Sequence, residues 1–180
     1  MLAAVAEDGR ALERASEELR ADREVVLAAV AQRGHALEYA SNELRADRGV
    51  VLAAVAQYGH ALEYASEELR DDREVVLAAV VKHGYALEHA SNELRADREV
   101  VLTAVAQAGY ARKYGKRLRA LEYASEELRA DRYIVNFAKS TRPQRMWKLV
   151  TVRFFANLFV KKLQRRVKEH ERAYKRQRRR

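Results

Sequence analysis

The chain has 180 residues, 48% of them apolar, which suffices for one packed domain, and no cysteine, which excludes disulfides and thiolate metal sites. One proline and seven glycines leave little material for long loops, while Ala, Leu, Glu and Arg favour helix throughout, so the fold class is all-α. The net charge of +9 conceals an asymmetry, because residues 1–108 carry 12 Lys/Arg against 20 Asp/Glu and the remaining 72 carry 23 against 6. An acidic body joined to a basic tail presents surfaces suited to different partners.

Residues 1–10 have neither the basic region and apolar core of a secretory signal nor an Arg-rich transit pattern. Met1 falls on a valine column inside a first helix, so the N-terminal face is expected to be a cut end of a longer array or a docking surface. From there Gly9, Gly34, Gly59, Gly84 and Gly109 recur every 25 residues. Residues 26–50 and 51–75 match at 21 of 25 positions, and such a period predicts stacked supersecondary units. The architecture expected is an α-solenoid of 25-residue two-helix repeats over 1–132.

In each unit Asp22, Asp47, Asp72 or Asp97 is placed to N-cap a first helix, and the glycine twelve residues on is placed for a left-handed C-terminal cap. The run 25–31 is apolar all round, which predicts an inner helix covered on nearly every side. A second helix follows over 35–45, with Leu37, Ala40, Ser41 and Leu44 on one buried stripe. At 100° per residue, positions 35, 39, 42 and 46 lie opposite, and there the copies differ most: Arg10/His35/His60/Tyr85/Tyr110 and Arg14/Tyr39/Tyr64/His89/Tyr123 are two such columns. The outward, variable positions predict a protein-binding stripe of His35, Tyr39, Tyr58, His60, Tyr64, Tyr85, His89 and Tyr110.

After Ala111 a nine-residue insertion, 112–120, adds Arg112, Lys113, Lys116, Arg117 and Arg119, expected to bind RNA or an anionic surface together with the C-terminal arm, before Leu121 resumes the beat. A degenerate last unit and linker over 133–143 leads into Thr141-Arg142-Pro143-Gln144, a capping box with proline in the first turn. A long basic amphipathic C-terminal helix is expected over 144–180. Trp147, Phe154, Phe155, Leu158 and Phe159 widen its apolar stripe early, as a helix-docking patch. Lys161, Lys162, Arg165, Arg166, Lys168, Arg172, Lys175, Arg176, Arg178, Arg179 and Arg180 make its later half an RNA or anionic-surface site. No apolar run is long enough to span a membrane.

The core L-E-Y-A-S-E-E-L-R-x-D-R-E-V-V-L-A-A-V-x-x-x-G-x-A resembles the repeat of domain-of-unknown-function family 4116 over about residues 1–132, interrupted by the insertion. The resemblance implies an interaction module without catalytic residues. It does not extend to the last 48 residues.

His35 and His60 stand one repeat apart, too far to share an ion whose ligands lie near 2 Å from it, so no metal is expected. Ser16, Ser41, Ser66, Ser91 and Ser125 are copies of one helical position without a His or Asp to activate them, and read as packing serines. The recurrent E-L-R-x-D-R, as in Glu43 to Arg48, reads as a helix cap plus an ion-pair ladder between layers rather than acid–base chemistry. Base reading by the Tyr/His stripe conflicts with the net −8 of residues 1–108. The expectation is a non-enzyme without cofactors: an adaptor whose repeats bind protein and whose arm binds RNA. The alternative is a peripheral subunit of a membrane-associated complex, with 146–160 docked on a partner helix or membrane interface.

Overall fold

The computed structural model of the chain describes residues 8–108 and 115–139, the latter from 118 onward with side chains. Among these residues there are helices and turns only. Each unit contains a 3-10 helix, a one-turn α-helix and a longer inner α-helix. The first three run Gly9–Arg14, Glu17–Arg20 and Arg23–Gln32, and the next Gly34–Tyr39, Asn42–Arg45 and Arg48–Gln57. The order repeats as Gly59–Tyr64, Glu67–Arg70, Arg73–Lys82 and as Gly84–His89, Asn92–Arg95, Arg98–Ala108.

Inner helices pack on inner helices in sequence, Arg23–Gln32 on Arg48–Gln57 on Arg73–Lys82 on Arg98–Ala108, and the 3-10 helices stack likewise in a second layer. This is an all-α solenoid. Its core is a column of valines and alanines, with Val50, Val51, Ala54 and Val55 excluded from solvent in one unit and Val75, Val76, Ala79 and Val80 in the next. Leu12, Leu37, Leu62 and Leu87 from the 3-10 layer close it from the other side, each fully buried. Burying one such side chain is worth about 1.5–3 kcal/mol, and most of it is buried against a neighbouring unit, so stability resides in the interfaces.

Four local expectations are corrected. The second helix is not continuous: Ala40 is extended at φ −70°, ψ 154° and splits 35–45 into a 3-10 turn and a short α-helix. The reason is tertiary. In an unbroken α-helix the Ser41 N–H would bond to Leu37; instead it donates to the Arg20 carbonyl of the preceding unit at 2.9 Å. Ser66, Ser91 and Ser125 donate in the same way to Arg45, Arg70 and Arg95, forming a backbone ladder along the array. Leu37, Ala40 and Leu44 are nevertheless buried as the stripe required, because the 3-10 turn also brings i and i+3 to one side. The serines are not simply packed: the hydroxyls of Ser41, Ser91 and Ser125 accept from the N–H groups of Leu44, Leu94 and Leu128 at 3.3–3.4 Å, capping the short helices.

The glycines take no left-handed cap, since no described glycine has positive φ. Arg33, Tyr58 and His83 close the inner helices in extended conformation instead. Glycine is required for close approach: a Cβ would stand 2.6 Å from the Ala29 carbonyl oxygen at Gly9, 2.5 Å from that of Ala54 at Gly34, and closer still to Ala79 and Ala104 at Gly59 and Gly84. Nor are the inner helices covered all round, as Leu27, Leu52 and Leu102 are half-exposed and Ala31 and Ala56 exposed. That flank has no second layer over it among the described residues.

In the insertion, an α-helix Gly115–Glu122 stands where earlier units have a 3-10 turn, and it packs on Arg98–Ala108. Ala120 and Leu121 are buried, so the leucine beat resumes at Leu121. The helix Glu126–Ala130 follows, then Arg132–Lys139, whose N-terminus Asp131 caps and whose Ile134, Phe137 and Ala138 are buried. The expectations for residues 1–7, 109–114 and 140–180 lie outside the described residues, including the N-terminal face and the basic helix over 144–180.

Candidate protein-interaction face

A ladder of charged groups joins the N-termini of successive inner helices. Asp47, Asp72 and Asp97 each accept two N–H groups of their own inner helix, as at Asp72, which takes Glu74 at 2.8 Å and Val75 at 3.1 Å. Their second oxygens accept the guanidinium of the preceding unit: Arg23 to Asp47 at 2.9 Å, Arg48 to Asp72 at 2.9 Å, Arg73 to Asp97 at 3.1 Å, and Arg98 to Asp131 at 2.5 Å. Arg48 and Arg73 also reach Glu74 and Glu99, both at 2.6 Å. The guanidinium bond from Arg23 and the Val50 N–H hold the Asp47 carboxyl below the usual range. At Asp72 partial burial works upward, but Arg48 and the Val75 N–H outweigh it and the net shift is down. The sequence expectation of a cap combined with an interlayer ladder therefore describes what these residues do.

Near the C-terminal ends of the inner helices, rings of the Tyr/His stripe meet in two groups. His35 stacks on Tyr58 with centroids 3.8 Å apart and planes inclined by 23°. Tyr58 lies 5.3 Å from His60 and 5.2 Å from His83, and His60 lies 5.5 Å from His83 and 5.8 Å from His89. Tyr85 meets Tyr123 edge to face at 6.5 Å, and the guanidinium of Arg119 lies 5.8 Å from the Tyr85 centroid. His35 is exposed, and Tyr39, Tyr58, His60, Tyr64, Tyr85 and His89 are half-buried, so the stripe is presented to solvent along its length.

The histidines here are not equivalent. His83 Nδ1 accepts the Gly59 N–H at 3.0 Å, which requires that nitrogen to be unprotonated. Burial, and then the neighbouring Lys82, push the His83 imidazole below its ordinary value. Burial also pushes His60 down, helped by His83 and His89 and opposed by Glu88 and Glu63. These rings are therefore poised as neutral hydrogen-bonding and stacking groups near pH 7.

Among the described residues no three His, Asp or Glu side chains are grouped to hold a metal ion, and no helix is long and apolar enough to cross a membrane. Of the eight expected stripe residues, His35, Tyr58, His60, Tyr85 and His89 make these ring contacts, and Tyr39 and Tyr64 are half-buried without one among the described residues. Tyr110, Arg112 and Lys113 lie outside the described residues, as do the docking residues from Trp147 to Phe159 and the basic positions from Lys161 to Arg180. Lys116 and Arg117 fall on the helix Gly115–Glu122, and Arg119 is the insertion cation whose place is described in full. His83 was missed by sequence reasoning. It stands in the connector column Arg33/Tyr58/His83/Ala108, which differs in every copy, and that variation beside a fixed glycine was a usable signal.

The family model described as Domain of unknown function (DUF4116) matches the chain over residues 1–45, 47–95 and 72–129. No curated protein and no solved structure matches it. The overlapping matches follow the repeating units and stop before residues 130–180. The chain thus belongs to the DUF4116 family, as a tandem array of its repeats.

Proposed function

We propose that the protein is a non-catalytic adaptor or structural subunit of a larger assembly, whose repeats hold a protein partner and whose basic arm attaches to RNA. The observation that carries this reading is the division of charge: 12 Lys/Arg against 20 Asp/Glu over residues 1–108, and 23 against 6 over the rest. Phosphate neutralisation dominates affinity for nucleic acid, so RNA is favoured on the arm and disfavoured on the repeats. The partly exposed ring stripe supports a protein partner there, because Tyr is enriched in the energetically dominant positions of interfaces. Repetition of one serine and one E-L-R-x-D-R cluster in every unit supports a role without chemistry, since those groups serve as caps and ladder ties.

The test is RNA binding by the intact chain against a chain lacking 161–180, with affinity followed over salt. The expected slope is roughly 0.7–0.9 log unit per log unit of salt for each phosphate contact, and binding should be lost with the deletion. Affinity that survives the deletion overturns the RNA assignment. The apolar, mostly aromatic residues Trp147, Phe154, Phe155, Leu158 and Phe159 favour a second reading, a peripheral subunit of a membrane-associated complex. Co-sedimentation with anionic vesicles that exceeds RNA binding by the same arm would select it.

A further inference from the structure

We propose that the ring face of the repeats recognises arginine side chains of a basic, extended segment of its protein partner, one arginine per repeat. The inference rests on the adaptor reading above and names the chemistry of that partner.

The last described interface shows the mode of recognition within the chain itself. There Arg119 lies over the Tyr85 ring at 5.8 Å, Tyr123 meets Tyr85 edge to face at an interplanar angle of 72°, and Glu122 is near enough to act on Tyr85. One guanidinium therefore lies over one ring, Tyr85, which a second ring meets edge-on and beside which a carboxylate stands. By the repeat register, Tyr85, Tyr123 and Glu122 correspond to His60, His89 and Glu88 one unit earlier, and to His35, Tyr64 and Glu63 before that. The correspondence is geometric too: His60 and His89 also meet edge to face, 5.8 Å apart at 77°. Glu63 and Glu88 are both exposed and both act on His60.

A planar guanidinium fits such a place better than an ammonium, because it stacks on a ring while its N–H fork reaches a carboxylate and an imidazole nitrogen. Charge favours the same ligand, since the body is acidic and repels phosphates. Packed helices stand about 8–10 Å apart, and an extended chain rises about 3.3 Å per residue, so arginines three residues apart would meet successive units.

The test uses the intact chain and two labelled peptides, one with arginine at every third position in a Gly/Ser background and one with lysine there, followed by fluorescence anisotropy. The arginine peptide is expected to bind more tightly than the lysine peptide. The double variant Glu63→Gln/Glu88→Gln is expected to weaken it roughly five- to tenfold, the scale of one or two cation–π and ion-pair contacts. Glu17→Gln/Glu93→Gln removes the same charge from exposed positions on the short helices and should leave it nearly unchanged. Helix content by circular dichroism checks that each variant folds. Equal affinity for the two peptides, equal loss in both double variants, or no binding overturns the inference. So does single-stranded RNA whose affinity falls in His60→Ala as much as that of the peptide. A natural protein partner held by the repeats independently of Glu63 and Glu88 overturns this inference and leaves the adaptor reading intact. Repeats that hold no natural protein partner overturn the adaptor reading, whatever the peptides do.

Discussion

Arg48 and Asp72 stand 24 positions apart and join neighbouring units, Nε to Oδ2 at 2.9 Å, while the other oxygen of the same carboxylate caps the inner helix Arg73–Lys82. One side chain thus fixes the start of a helix and its position relative to the unit before. Arg23 with Asp47, Arg73 with Asp97 and Arg98 with Asp131 repeat the arrangement.

Replacing Asp72 by Ala is expected to lower stability by about 1.5–2 kcal/mol, about 1 from the cap and the rest from a partly exposed ion pair. Urea unfolding would measure it. Because stability in an array is a sum over interfaces, the transition should also broaden.

The same carboxylates set the response to acid. Asp47, Asp72, Asp97 and Asp131 are all held below the usual carboxylate value. Their contribution is fully present above about pH 4 and is lost as pH falls through the depressed values. Thermal unfolding from pH 5 down to pH 2 should show a steep loss that is smaller in the Asp72→Asn protein.

Gly49 interrupts the ladder. In later units Glu74 and Glu99 supply a second carboxylate to the preceding arginine, whereas Arg23 pairs with Asp47 and finds glycine in the place of the glutamate. A Cβ at Gly49 would meet the Arg23 guanidinium at 2.9 Å, the movable end of a flexible side chain. Gly49→Glu should therefore stabilise the protein by about 1 kcal/mol, through helix propensity and a negative charge in the first turn. An unchanged or lower midpoint in urea would contradict this account.

Gly59 behaves oppositely. Its missing Cβ lies against the Ala79 carbonyl, a backbone atom that cannot turn away. Gly59→Ala is expected to cost roughly 2–3 kcal/mol, as overpacking does in a filled core. Hydrogen exchange should locate the loss at the interface of Gly59–Tyr64 with Arg73–Lys82.

His83 ties pH to that interface. Its Nδ1 accepts the Gly59 N–H, and protonation would set donor against donor. With His60 and His83 both depressed, stability is full above the ordinary histidine value of about 6.5 and falls as pH drops through the folded-state values. An Asn side chain offers an acceptor oxygen without titrating, so His83→Asn should flatten the slope between pH 7 and 5 while keeping stability at pH 8 within about 1 kcal/mol. A slope unchanged in His83→Asn would assign the effect elsewhere.

The sequence by itself determined the helical class, the 25-residue period, the aspartate caps, the interlayer ion pairs and the outward stripe. Each of these follows from periodicity or from a residue type repeated at fixed spacing. Only the tertiary structure decided that Ala40 breaks the second helix, because the Ser41 N–H is claimed by Arg20 of the unit before, and local propensity does not register a bond between units. It also decided that the glycines serve close contact rather than a left-handed turn, since their constraint is a carbonyl some 20 residues ahead. His83 entered the ring face for the same reason: its partners, Gly59, Tyr58 and His60, are neighbours only once the units have stacked.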